Sequence, residues 1–162
     1  MLSLWRFKKS KRGLLKAEVQ QGNHLMIEEE IIGTVSEEEE MYKENILDHY
    51  KHPHNKREIK ECTSSFHDLN PLCGDELTLY LVVDSSKSKI VDVAFTGHGC
   101  AISQAAISLL TDELKGKSLN EARNIGQERI MELLGIKISH TRMKCALLSL
   151  KVLQGGLTQC SI

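Results

Sequence analysis

Aromatic residues are scarce in this chain: only 4% of its 162 positions are Phe, Trp or Tyr. Its core must therefore be filled by aliphatic side chains. Charge of one sign is not in excess either, since the formal net charge at pH 7 is -1. A dedicated nucleic-acid binder usually carries a basic surplus, so this balance argues against that class. No apolar run approaches the length that spans a bilayer, and no apolar signal-peptide core is visible. The five cysteines are odd in number and widely spaced, unlike the disulfide framework of a secreted domain. Thiols kept free for metal or sulfur in a reducing compartment are the better reading, and the expected location is cytoplasmic.

What is present suits one globular domain. Hydrophobic residues make up 41% and charged residues 27%, and the length is enough for a single well-buried core. Charge is uneven only at the front. Residues 1–17 hold six basic residues and no acid, and residues 18–40 hold eight glutamates and no Lys or Arg. We expect residues 1–40 to be a solvated, disordered extension, 41–157 to be the functional domain and 158–162 a short tail. A targeting segment, or a start placed upstream of Met41, are the other readings of the front.

From about Glu38 the pattern is helical, with Tyr42, Ile46, Leu47 and Tyr50 at helical spacing and Pro53 ending the run. A loop follows, then a short strand around Thr63 to Leu69. Leu77, Leu79, Leu81 and Val83 alternate with Thr78, Tyr80 and Val82, the period of a half-buried strand. Ile90 to Phe95 form the next strand, and the two make an antiparallel hairpin. Helices are expected over Ile102–Leu110, from Ser118 to Arg123, over Gln127–Leu134, and from about Thr141 to Gln154. Ser118 and Glu121 stand at capping-box spacing, and the Gly155-Gly156 pair is read as a helix stop. Strands first and helices after give an α+β fold, with a small antiparallel sheet of about three strands packed against helices.

Cys73, Cys100 and Cys145 stand at predicted element junctions, within Asn70-Pro-Leu-Cys-Gly-Asp75, Gly97-His-Gly-Cys-Ala and Arg142-Met-Lys-Cys-Ala. A single free cysteine reads as a small buried hydrophobe. Three in such settings, with Asp75 two residues after the first, read as a metal or cluster site. Gly74 allows a tight turn between two ligands. Cys100 before a helix, and Cys145 in the first turn of the last helix beside Arg142 and Lys144, are expected as thiolates, the form that metal binding and sulfur transfer require. Cys62 and Cys160 lack such settings. His98 reads as a neighbour of the site, and His49, His52 and His54 around Pro53 as a surface-loop cluster. The intervals of 27 and 45 residues between the three cysteines match no compact zinc-finger pattern.

Met41 to Lys56 (MYKENILDHYKHPHNK), Asn70 to Asp75 (NPLCGD), Gly97 to Ala105 (GHGCAISQA) and Arg142 to Leu147 (RMKCAL) resemble the U-type iron–sulfur cluster assembly scaffolds. That family includes SufU, IscU and the N-terminal domain of NifU. The resemblance covers about residues 41–157, with the four motifs in order. It is nearer to SufU around Cys100 and Cys145, because Lys144 stands where IscU proteins carry a histidine. Yet the segment before Cys145 is too short for the usual SufU insertion. The resemblance implies a SufE/IscU-like α+β fold and a site made of Cys73, Asp75, Cys100 and Cys145.

On this resemblance, the chain is a scaffold more than a catalyst. It accepts sulfur from a cysteine desulfurase, takes iron from an iron donor, assembles a [2Fe–2S] cluster and passes it to apo-proteins or a carrier. Cys145 is the expected sulfur acceptor. The alternative is a sulfurtransferase-like acceptor holding Zn2+ on the same four residues, and a purely structural zinc domain is the third reading. No nucleic-acid or membrane partner is expected.

Overall fold

The computed structural model describes residues 7–9, 15–17, 37–86 and 88–160, which fall into two units, one within residues 1–35 and one within 36–162. In the first unit β1 (Phe7–Lys9) pairs with β2 (Leu15–Ala17) antiparallel, Phe7 opposite Ala17. The expected disordered extension lies outside the described residues, apart from these two strands and Glu37–Glu40.

In the second unit, α1 (Glu37–Lys51) opens with four glutamates, whose charge complements the positive end of a helix. Its inward face is narrow, with Ile46 and His49 buried and Leu47 and Tyr50 left about half exposed. Three strands follow: β3 (Ser64–Asn70), β4 (Asp75–Val83) and β5 (Ile90–His98). They form one antiparallel sheet in the order β3-β4-β5, with Leu79 of β4 facing Phe66 on one side and Phe95 on the other. Every second residue of β4 from Asp75 to Val83 is buried, as the sequence alternation predicts. β5 runs past Phe95 to His98, so Gly97 lies within the strand opposite Leu77.

Among the described residues, four helices complete the unit: α2 (Ala101–Leu114), α3 (Leu119–Arg123), α4 (Gln127–Leu134) and α5 (His140–Gln159). Ser118 and Glu121 form the expected capping box. Leu77, Leu79, Leu81 and Phe95 of the sheet meet Ile107 and Leu110 of α2 and Leu148 and Leu153 of α5 in one core. Each such side chain contributes about 1.5–3 kcal/mol when removed from water. The α+β class and the three-strand sheet are as expected.

α5 is longer than its sequence suggests. Gly155 and Gly156 do not stop it, because they are its contact with the sheet. A Cβ on Gly155 would stand 2.4 Å from the Phe66 ring, and the Gly156 carbonyl accepts a 2.7 Å bond from Ser64 Oγ. Close approach, rather than a turn, accounts for both glycines. The helix therefore carries Leu157 and Cys160 into the core, and the boundary read at residue 157 falls inside it.

Candidate metal centre

The β3–β4 hairpin builds one wall of the site. Asn70 and Asp75 face each other at its end, leaving residues 71–74 as the loop. The Asn70 carbonyl accepts from the amides of Cys73 at 3.3 Å and Gly74 at 2.9 Å, and its Oδ1 accepts from the Leu72 amide at 3.2 Å. This is the local turn that an Asn before Pro favours. Gly74 adopts φ +72°, in the left-handed region. Cys73 is thereby exposed, whereas Asp75 is 3% exposed.

β5 and α2 build the second wall. Cys100 is the N-cap residue of α2, and its amide donates to Asp75 Oδ1 at 3.0 Å. Gly99 makes room for that contact. A Cβ there would stand 2.5 Å from Ser103 Oγ and 2.8 Å from Asp75 Cγ.

Cys145 enters from α5. Its Sγ lies 3.5 Å from Cys73 Sγ and accepts a 3.8 Å contact from Asn70 Nδ2. Ligand atoms of Cys73, Asp75 and Cys145 all lie within 4.8 Å of one another. Cys100 flanks this trio, bonded to Asp75 through its amide, with its thiol close enough to disfavour ionisation of Cys145.

The donor set fits a soft or borderline metal. Burial opposes ionisation of Asp75, but the neighbouring Cys73 thiol, the Cys100 amide bonded to Oδ1, the Ser103 hydroxyl and the Cys100 thiol outweigh it and hold the carboxyl below its usual range. Its Oδ2 is nevertheless buried with no partner at hydrogen-bonding distance. A buried, ionised carboxylate with one bare oxygen among three thiols is an arrangement that a cation completes.

One expectation about Cys145 is corrected. Its thiol is pushed up to about 12, first by burial, then by hydrogen bonding with Cys73 and by the nearby Cys100 and Asp75. The helix start that was to stabilise its thiolate lies at His140, so Cys145 sits in the second turn, beyond the free amides. Arg142 and Lys144 are exposed on the surface while Cys145 is 5% exposed. Burial wins over sequence-neighbour charge.

The remaining candidates stand apart. His98 is exposed and paired with Glu76 at 3.2 Å. Cys160 is in the core and Cys62 is half-buried. Asn70 and Ser103 are the site residues that sequence reasoning passed over. Asn-Pro is a turn signal in its own right, whereas Ser103 carries no signal without the fold.

The model of the NifU-like N-terminal domain matches residues 41–161. The chain belongs to this family. Its relatives include the zinc-dependent sulfurtransferase SufU of Bacillus subtilis, 34% identical over 137 positions that cover 74% of this chain and 90% of the relative. The iron–sulfur cluster assembly scaffold protein IscU 1 of Archaeoglobus fulgidus is 32% identical over 114 residues, covering 70% of this chain and 72% of that one. A crystal structure of a candidate iron–sulfur cluster assembly scaffold for the SUF system, from Fervidobacterium islandicum, is 31% identical. It superposes with a TM-score of 0.62 over 77% of this chain and 99% of its own. The match to SufU spans more positions than the share of this chain it covers, the mark of residues in that relative which this NifU-like domain lacks. Among the described residues no helix is long and apolar enough to cross a membrane.

Proposed function

We propose that this chain is an iron–sulfur cluster assembly scaffold that accepts sulfur from a cysteine desulfurase, combines it with iron as a [2Fe–2S] unit and hands that cargo to apo-proteins. The observation that carries the reading is the convergence of Cys73, Asp75 and Cys145 within 4.8 Å, with Cys100 alongside. Thiolates hold iron and sulfide well, and the oxygen of Asp75 is the weaker partner, which favours release over storage. Leu69 and Leu72, 47% and 73% exposed, flank Cys73 with apolar surface suited to a protein partner. An iron donor completes the partner set, and the proposed compartment is the cytoplasm.

A second reading is supported by Lys144 standing before Cys145 and by the zinc-dependent relative. Here Cys73, Asp75, Cys100 and Cys145 hold Zn2+, which supplies positive charge that keeps their thiolates deprotonated. Cys145 is the proposed acceptor, and exposure makes Cys73 the first thiol an incoming persulfide meets. The Cys73 thiolate attacks the outer persulfide sulfur, the donor's S–S bond breaks and the donor cysteine leaves as thiolate. A repeat of that exchange across the 3.5 Å gap moves the sulfur to Cys145 and returns Cys73 as thiolate.

Metal and acid-labile sulfide analysis of protein purified without oxygen separates the two. Iron with sulfide in equal amounts supports the scaffold, and zinc without sulfide supports the acceptor. Metal-free protein that cannot be loaded with either overturns both. Under the acceptor reading, Cys145→Ser abolishes sustained stimulation of the desulfurase, since sulfur then stops at Cys73, and retained stimulation moves the acceptor role elsewhere.

A further inference from the structure

Of the histidines around Pro53, His52 and His54 are exposed as expected, whereas His49 is not part of a surface cluster. α1 and α2 pack together, and that packing buries His49 to 6% exposure against Ser108, with Nδ1 and Oγ 2.8 Å apart. The same Ser108 Oγ accepts from the His54 amide at 2.8 Å, which folds the chain after Pro53 back onto α2. The two imidazoles are thereby held with ring centroids 4.5 Å apart and planes tilted by 56°. Asp112, one turn beyond Ser108, places Oδ2 2.6 Å from His54 Nδ1, and Asn55 Nδ2 donates to its other oxygen at 2.9 Å. One ligand atom from each of His49, His54 and Asp112 lies within 4.8 Å of the other two.

We propose that His49, His54 and Asp112 form a second metal-ion site, for a divalent first-row transition ion, separate from the thiol site. Two imidazoles and one carboxylate are a borderline donor set that suits such ions over Mg2+ or Ca2+, and three protein ligands leave positions for water. The supports around them are those of a ligand shell. His49 has one ring nitrogen, Nδ1, on Ser108, and Asp112 has one oxygen, Oδ1, on Asn55. An ion seated between His54 and Asp112 takes the place of the proton they now share. Two facing imidazoles repel when protonated, and a shared cation turns that pair into a chelate. Lys115, bonded to Asn55 Oδ1 at 2.5 Å, adds nearby positive charge, so the site is weak and exchangeable. Asp112 lies 12 residues beyond Cys100, about 18 Å along α2. The proposal is thus independent of what the thiols carry.

The test uses the full chain without a polyhistidine tag, given one equivalent of zinc to occupy the thiol site and then titrated with Co2+. A further equivalent of Co2+ is expected, with weak visible bands, no near-ultraviolet thiolate-to-cobalt band, and paramagnetically shifted imidazole signals of His49 and His54. His54→Gln and Asp112→Asn, both at exposed positions, should each weaken that equivalent about tenfold or more. Their thermal melts report whether the fold is kept. His52→Gln should leave it intact. No uptake by the wild type up to about millimolar Co2+, or equal uptake by wild type and a folded His54→Gln, overturns the site. Loss in His52→Gln with retention in His54→Gln does so as well.

Discussion

The Sγ atoms of Cys73 and Cys145 lie 3.5 Å apart although 72 residues separate them in the chain. One thiol is exposed on a hairpin loop and the other is buried on a helix, so the pair joins solvent to the interior of the site. In metal-free protein, mild oxidation with diamide is expected to link Cys73 to Cys145 before it touches Cys62 or Cys160. Prior loading with zinc should slow it, because a thiolate whose pKa the metal has lowered is a weaker nucleophile. Peptide mapping reads the linkage, and its absence in metal-free protein contradicts the placement of these thiols.

Stability of the metal-free domain should fall at alkaline pH. The Cys145 thiol is raised from an ordinary 9.0 to about 12, by burial first and then by its sulfur and carboxylate neighbours. Between these values the unfolded chain has lost the Cys145 proton and the folded one has kept it. The unfolded state therefore gains as pH rises through that window, and stability present below pH 9 is lost towards pH 12. Urea unfolding at pH 8 and pH 10 should show a larger loss for wild type than for Cys145→Ala. An equal loss removes Cys145 as its source.

Gly155 tests the contact that sequence reasoning mistook for a helix end. Alanine gains about 1 kcal/mol over glycine inside a helix. Here its Cβ would meet the Phe66 ring at 2.4 Å, and overpacking of this kind costs about 1–3 kcal/mol. Gly155→Ala is expected to destabilise the wild type, by up to about 2 kcal/mol, and to stabilise a Phe66→Ala background. Denaturant midpoints for the four proteins of this cycle give the answer, and a stabilising Gly155→Ala in the wild type refutes the close approach.

The features legible in the sequence were local ones. The alternation of Leu77 to Val83, the capping box of Ser118 and Glu121, and the turn at Gly74 each act within a few residues, and each appears where the pattern places it. The motif resemblance likewise picked out Cys73, Asp75 and Cys145, which the fold brings together. What stayed hidden depends on distant partners. Gly155 and Gly156 look like a stop until Phe66 and Ser64 are seen against them. Lys144 and Arg142 look like an activating charge for Cys145 until the helix sends them to solvent and the thiol inward. His49 and His54 have no evident use until α2 supplies Ser108 and Asp112.

Asp75 is held in the site by Gly99 as well as by the Cys100 amide, and this gives a test without removing a ligand. In Gly99→Ala the new Cβ would occupy space within 2.8 Å of Asp75 Cγ and 2.5 Å of Ser103 Oγ. The backbone at residue 99 has no positive φ, so the strain falls on Asp75 and Ser103 rather than on the strand end. Zinc affinity, measured by competition with a chelator, should drop about 10–100-fold in Gly99→Ala, as when a supporting contact of a ligand is lost. Asp75→Ala should lower it at least as far, and the double variant little further, because both changes remove the same carboxylate. Under the scaffold reading Asp75→Ala also slows cluster transfer to an apo-ferredoxin. Additive losses of affinity would mean that Gly99 acts on something other than Asp75, and unchanged or faster transfer would remove Asp75 from the release step.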